Sequence, residues 1–305
     1  MHKLFFFLTI ILWPSHSFAG VDIWFAPRND NFLLNQGNYK LWSGVRKKIN
    51  VYKFYYQQII QDKQTDLCSK LNFLRSNGIK IAVEWPIMNF LPSGLGHGVE
   101  GFADHETTVK LVNRIKSCNV NLDFVAMDEP LYWGVVVNKK NTPGFDVTQL
   151  ARNVSNNVDF IIKNFPAAQF GDIEPIDQLG DNYRRLIMDW ISEFQLVTGS
   201  HMYFIHDDVI WADDWMKSSQ QVRFALKAND TRFGLIFNAK NGRGPDSVWM
   251  ESNRGNVISF FTNKENVIDD AIFQSWNHYP NNIDNESDKD SHISIIDFFL
   301  KLEKL

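Results

Sequence analysis

The sequence predicts a single-domain (β/α)8 barrel, and three observations point to it. Short apolar or β-branched runs ending in polar residues recur eight times, a stretch with helical spacing follows each, and the whole fits the length of one such barrel with insertions, typically about 250 residues or more. The runs are 21–25 (VDIWF), 51–55 (VYKFY), 79–84 (IKIAVE), 122–127 (LDFVAM), 169–173 (QFGDI), 202–205 (MYFI), 233–237 (FGLIF) and 271–276 (AIFQSW).

Between the runs the period changes from strand to helix. Ile60, Leu67, Leu71 and Leu74 form one apolar stripe stopped by Gly78, and Leu150, Val154, Val158, Ile161 and Ile162 another ended by Pro166. Leu186, Trp190 and Phe194 make a third, and Val222 with Leu226 part of a fourth. Val248 with Val257, Ile258 and Phe261 make a fifth, and Ile293, Ile296, Phe299 and Leu300 the last. The first crossover is the weakest, with only 41–45 helical in pattern. The polar, acidic stretch 281–291 predicts a surface loop before the last helix. A doubly wound sheet is the rival, but no Gly-rich phosphate loop follows the first strand.

The chain opens with a basic start, an apolar run from Leu4 to Trp13, and Ser17-Phe18-Ala19 before Gly20. A run too short to span a bilayer, followed by small residues at a cleavage point, predicts a signal peptide over 1–19 and a barrel domain over 20–305 in a secreted or periplasmic protein. No stable membrane insertion is expected after cleavage. A 44% hydrophobic chain with ten Trp and 25 Phe can bury a large core, and a net charge of −4 argues against nucleic acid as a partner. A monomer without cofactor is expected. Cys68 and Cys118 are compatible with one disulfide in an oxidising compartment. However, Cys68 lies early in one predicted helix and Cys118 just past the end of the next. That places them at different heights of the barrel and argues against a bridge, which needs Cα atoms about 4.4–6.8 Å apart.

In this fold, side chains just past the C-terminal ends of the strands converge on one mouth. Those positions hold Tyr55, Glu84, Asp128 with Glu129, Asp172 with Glu174, His206 with Asp207 and Asp208, Asn238, and Trp276 with Tyr279. Paired carboxylates supply the acid and the base or nucleophile that cleave a glycosidic bond, and aromatic rings stack on sugar faces. Each acid could instead serve as a helix cap or a solvated loop charge. Beyond Glu84 a Gly-rich loop of some twenty residues carries His97 and Glu100, candidate substrate contacts, since long ordered loops are more often functional than accidental.

The segment Val125-Ala126-Met127-Asp128-Glu129-Pro130 resembles the Asn-Glu-Pro signature of the large clan of retaining (β/α)8 glycoside hydrolases. The resemblance implies that Glu129 is the general acid/base. Asp128 stands where that clan has Asn, and 233–242 (FGLIFNAKNG) puts Asn238 where its nucleophilic Glu belongs. The second carboxylate must then come from another strand end. Glu174, in a second Glu-Pro pair, is the first candidate; Asp207 and Asp208 are the next. Trp276 resembles the platform Trp of many barrel glycosidases, and Trp133 and Tyr279 are further rim aromatics.

The sequence thus predicts an exported glycosidase acting on a polysaccharide or oligosaccharide. A non-catalytic carbohydrate-binding barrel is one alternative. A metal-dependent polysaccharide hydrolase or deacetylase using His206, Asp207, Asp208, Asp128 and Glu129 is another, though their spacing matches no His-Glu-x-x-His signature. No Gly-x-Ser-x-Gly elbow for a nucleophilic serine occurs.

Overall fold

The structure is a computed structural model that describes residues 20–212, 214–239 and 244–304. The leader read at 1–19 lies outside the described residues. Among these, eight parallel strands close into one barrel: β1 Asp22–Ala26, β2 Val51–Tyr55, β3 Lys80–Trp85, β4 Phe124–Asp128, β5 Gln169–Glu174, β6 Met202–Asp207, β7 Arg232–Phe237 and β8 Asp270–Gln274. Each pairs with its sequence neighbours, and β8 returns to β1. Every predicted run is a strand, with no end moved by more than two residues. The register Tyr55↔Glu84↔Ala126 and Glu174↔Asp207 brings the C-terminal ends to one level.

Alternation along the strands sorts side chains to the two faces. Trp24, Val51, Ala82, Phe124, Ala126, Ile173, Phe204, Ile236 and Ile272 fill the barrel interior as a cluster separate from the larger core between strands and helices. Two glycines make room for rings carried by β6. A Cβ on Gly171 would come within 2.3 Å of the Phe204 ring, and one on Gly234 within 2.7 Å of the His206 ring. At the opposite end from the mouth, Arg232 closes the barrel by donating to both oxygens of Asp270 (2.7 and 3.2 Å) and to Asp22 (3.0 Å).

The outer ring comprises α1 Ser43–Arg46, α2 Tyr56–Gln61, α3 Gln64–Ser76, α4 His105–Lys116, α5 Val147–Asn164, α6 Tyr183–Thr198, α7 Trp215–Leu226, α8 Asp246–Phe261 and α9 Ser294–Leu302. Asp146 and Gln149 form a reciprocal cap on α5, and Asp104 caps α4. One stripe differs from expectation. On α8 the buried face is Trp249, Met250, Asn253, Val257 and Phe260, while Val248 and Ile258 are exposed. Val248 and Val257 sit nine residues apart, half a turn out of phase on a 3.6-residue helix, so they cannot share a face, and Trp249 and Phe260 have more apolar area to bury. The 281–291 stretch is a strap rather than a plain surface loop. Asp246 accepts the amides of Asn281 and Asn282 (both 2.8 Å), and Glu286 accepts that of Val45 (2.7 Å), joining the two ends of the helical ring.

Cys68 and Cys118 are bonded, with Cα atoms 4.8 Å apart, contrary to the expectation from helix position. The short α2 stands between β2 and α3, so α3 starts lower on the barrel than a helix that follows its strand directly. Arg114 then draws the last turn of α4 to that junction by donating to Ile59 O (2.6 Å) and Asp62 O, and Gln64 donates to Arg114 O (2.9 Å). The two cysteines are thereby level. The bridge closes a span of 50 residues, so Cys68→Ser with Cys118→Ser should lower the unfolding free energy by about 2–4 kcal/mol in urea denaturation. An unchanged midpoint would mean that the Arg114 and Gln64 contacts alone hold these helices.

Candidate active site

Following each interior stripe upward shows which residues face the mouth. Val51 leads to Lys53 and Tyr55, Ala82 to Glu84, Ala126 to Asp128, Phe204 through His206 to Asp208, Ile236 to Asn238, and Ile272 to Gln274. Lys53 is fully buried and donates to Glu84 and to Gln274 Oε1 (2.5 Å), tying β2, β3 and β8 together beneath the mouth. Neither Lys53 nor Gln274 was among the residues singled out in the sequence, yet a lone Lys in the otherwise apolar run VYKFY was the signal for it.

Glu129 is one residue past this alternation and would face outward in an extended chain. Its φ of +48° turns it back, a conformation costing on the order of 1–3 kcal/mol for a non-glycine residue. Three contacts hold the turn. The Glu129 amide donates to Ile173 O (3.1 Å), its carbonyl accepts from the Trp133 amide (3.0 Å), and the Glu174 carboxyl accepts from the amides of Leu131 (2.6 Å) and Tyr132 (3.0 Å).

The loop after β3 completes the mouth. It folds back through a two-residue ladder, Met88–Asn89 with Phe102–Ala103, and Gly101 lies so close to the Asp128 carbonyl that a Cβ there would be 2.2 Å from its oxygen. This approach carries Glu100 to the carboxylates of β3 and β4. His97 is exposed on the same loop, its ring stacked on Phe90 at 4.0 Å, and stands off from the cluster.

Glu84, Glu100, Asp128, Glu129 and Asp208 therefore cluster at the mouth, and their charges act on one another. The Glu129 carboxyl is pushed up to about 9, by burial first and then by Asp208 and Glu100. Asp208 is pushed up to about 7 by burial and Glu84, while Lys53 and a hydrogen bond from Asn238 (3.1 Å) pull it back. Burial, then Glu84, Glu100 and Glu129, raises Asp128 well above the carboxylate range. Glu100 is exposed as a residue, but its carboxyl faces protein, and that partial burial followed by Glu84 raises it. Two buried donors face this cluster. The Tyr55 hydroxyl and the Trp133 indole N–H have no partner in hydrogen-bonding geometry. The Trp133 N–H still lies near enough to Glu129 and Glu100 to ease both, so that contact is electrostatic rather than a closed bond.

Several expected site residues do not reach the mouth, because strand alternation turns them the other way. Asp172, Glu174 and Asp207 face outward and are fully buried. Asp172 accepts the Trp190 indole N–H (2.8 Å), Asp207 accepts from Ser219 (2.5 Å), and Glu174 holds the Glu129 turn as described. Burial pushes the carboxyls of Asp172 and Glu174 up, the charge of Asp172 adding to the effect at Glu174. His206 faces inward but sits below the mouth, stacked on Phe204 and within 3.4 Å of Asp270. Among the described residues no three His, Cys, Asp or Glu side chains are arranged to hold a metal ion. Tyr279 packs on the core instead of standing at the rim, whereas Trp276 is 45% exposed and lines a cavity with Tyr55.

No family model and no curated protein matches the chain. Solved structures do match its fold. A psychrophilic glycoside hydrolase family 10 endo-β-1,4-xylanase aligns with a TM-score of 0.52 at 14% identity, over 84% of this chain and 86% of that one. The endo-β1,6-glucanase BT3312 aligns at 0.53 and 10%, over 90% and 75%. Xylanase 10B from Thermotoga maritima aligns at 0.51 and 12%, over 93% and 97%. At these identities the similarity is one of architecture: the chain is a (β/α)8 barrel of the kind these hydrolases use.

Proposed function

We propose that the protein is an exported glycoside hydrolase acting on a polysaccharide or oligosaccharide, with Glu129 as general acid and Asp208 as its partner carboxylate. One observation carries the reading. A strained turn swings Glu129 in among the carboxyl groups at the mouth, where burial pushes it up to about 9, while Asp208, two strands away, is held lower, at about 7. Two titratable groups pushed apart by their surroundings are the pattern of an acid and a base working together. Glu129 protonates the leaving oxygen, and Asp208, held by Asn238 and facing Lys53, acts as base or nucleophile. Tyr55 and Trp133 offer buried donors to sugar hydroxyls, and Trp276 an exposed face for stacking. The fold shared with the xylanases and the glucanase supports the reading. Export is supported by the leader pattern at 1–19 and by the Cys68–Cys118 bridge, which belongs to oxidising compartments.

A second reading is a binding barrel without catalysis. It is favoured by Asn238, which occupies the strand-seven position where the resembled clan has its nucleophile.

Release of reducing ends from a panel of soluble glycans separates the two. Glu129→Gln and Asp208→Asn should each lower turnover by about 10²–10⁴-fold while leaving glycan binding largely intact. A wild-type protein that binds but cleaves nothing in the panel establishes the second reading. Activity should also follow a bell. It rises as Asp208 loses its proton near pH 7 and falls as Glu129 loses its own near pH 9, the two limbs belonging to the coupled set of acids. An optimum below pH 5 would contradict these roles. Glu174→Gln tests the positioning role: one buried amide of Leu131 or Tyr132 then loses its acceptor, costing about 1–3 kcal/mol. A lowered melting temperature with partly retained activity is expected, whereas full stability with abolished activity would make Glu174 itself the reacting carboxylate.

A further inference from the structure

Beside the mouth, between the chain after β1, helix α2 and the chain after β8, lie two adjoining cavities. One, of about 360 Å³, is lined by Tyr55, Trp276, Gln57, Gln58, Gln61 and Arg28. The other, of about 410 Å³, shares Arg28, Gln58 and Gln61 and runs on to Asp30, Asp62 and His278. They form one groove leading away from the carboxylates, and Arg28 stands where its two halves meet.

Arg28 is held in place but its charge is unanswered. Gln58 fixes its main chain, accepting the Tyr55 amide (2.7 Å) and donating to the carbonyls of Arg28 (2.9 Å) and Pro27 (3.2 Å). The two acids of the groove, Asp30 and Asp62, are both taken by the buried Lys70, at 2.8 and 2.7 Å. The Arg28 guanidinium donates to His278 Nδ1 (2.8 Å). Since a guanidinium only donates, that nitrogen is the acceptor of an uncharged ring and supplies no counter-charge. Among the described residues no carboxylate pairs with Arg28.

We propose that this groove binds an anionic sugar unit, a uronate carboxylate or a sugar sulfate, with Trp276 against the ring face and Arg28 on the charge. The inference rests on the glycan-hydrolase reading and names its substrate class. The mouth itself, where the one buried cation Lys53 is already paired with Glu84, offers such a group no free positive charge. A planar fork that keeps N–H donors beyond the one given to His278, at the edge of the aromatic cavity, matches both oxyanions, so the charged substituent of a chain threaded through the mouth is directed outward to Arg28.

The test is affinity electrophoresis of the Glu129→Gln protein in gels containing pectate, alginate or hyaluronan for the uronate source and ι-carrageenan for the sulfate source. Their carboxyl-reduced and desulfated forms run alongside. At least one anionic glycan should be retained tenfold or more strongly than its neutralised form. Arg28→Gln should abolish that difference, Arg28→Lys should keep part of it, and Trp276→Ala should weaken both forms. Retention of neutral and anionic forms alike, no retention of any anionic glycan, or an undiminished preference in a folded Arg28→Gln protein overturns the assignment. Reducing-end release by the wild type separates the two readings. Cleavage confined to neutral glycans removes the groove assignment and leaves the hydrolase. Charge-dependent binding with no cleavage of any glycan removes the hydrolase and leaves the groove.

Discussion

Closure of eight parallel strands is the constraint on which everything else in this molecule depends. In a closed barrel a strand side chain has only two destinations, the interior or the layer beneath the helices, and they alternate residue by residue. Glu84, Asp128 and Asp208 share parity with the interior stripe and meet at the mouth. Asp172, Glu174 and Asp207 have the opposite parity on their own strands and are buried on the other side. Whether an acid faces the mouth or the helices is set here by its phase relative to the interior stripe of its own strand.

Glu129 is the exception, and the structure commits several groups to keeping it one. A left-handed glutamate is unfavourable unless its surroundings over-determine it. The Glu174 carboxyl, gripping two amides of the following turn, does so from the outer face, where it is fully buried. The second Glu-Pro pair thus serves the first. Its carboxyl has the chemistry of a catalytic acid but the location of a clamp, a case in which site composition alone does not assign roles.

The mouth gathers five carboxyl groups over a single buried cation, Lys53. Such a cluster cannot ionise fully in a partly desolvated pocket, so protons replace the missing counter-charges and the individual groups separate in acidity. Lys53 and Asn238 favour the ionised form of Asp208, whereas Glu129 has only the weak help of the Trp133 indole. The same crowding bears on what can enter. On the proposed reading, neutral sugar hydroxyls use Tyr55 and Trp133, and the unmatched positive charge lies outside the acid cluster, along the groove at Arg28.

The sequence alone determined the architecture, because eight runs with strand period separated by stretches with helix period can bury their apolar faces together only as a closed sheet inside a ring of helices. It also determined most of the chemistry available at the strand ends, including Glu129, Asp208, Glu84 and Asn238. What it left open depended on phase and distance. A strand boundary read one or two residues off leaves the parity of each acid undecided, and so Glu174 stood ahead of Asp208 as the second carboxylate until register fixed their faces. The disulfide was likewise decided by tertiary contacts, since Arg114 and Gln64 reach across about fifty residues to level two helix positions that local spacing sets apart. Local patterns act over a few residues and specify elements; which carboxylate meets which is specified only when the barrel closes and brings distant strand ends together.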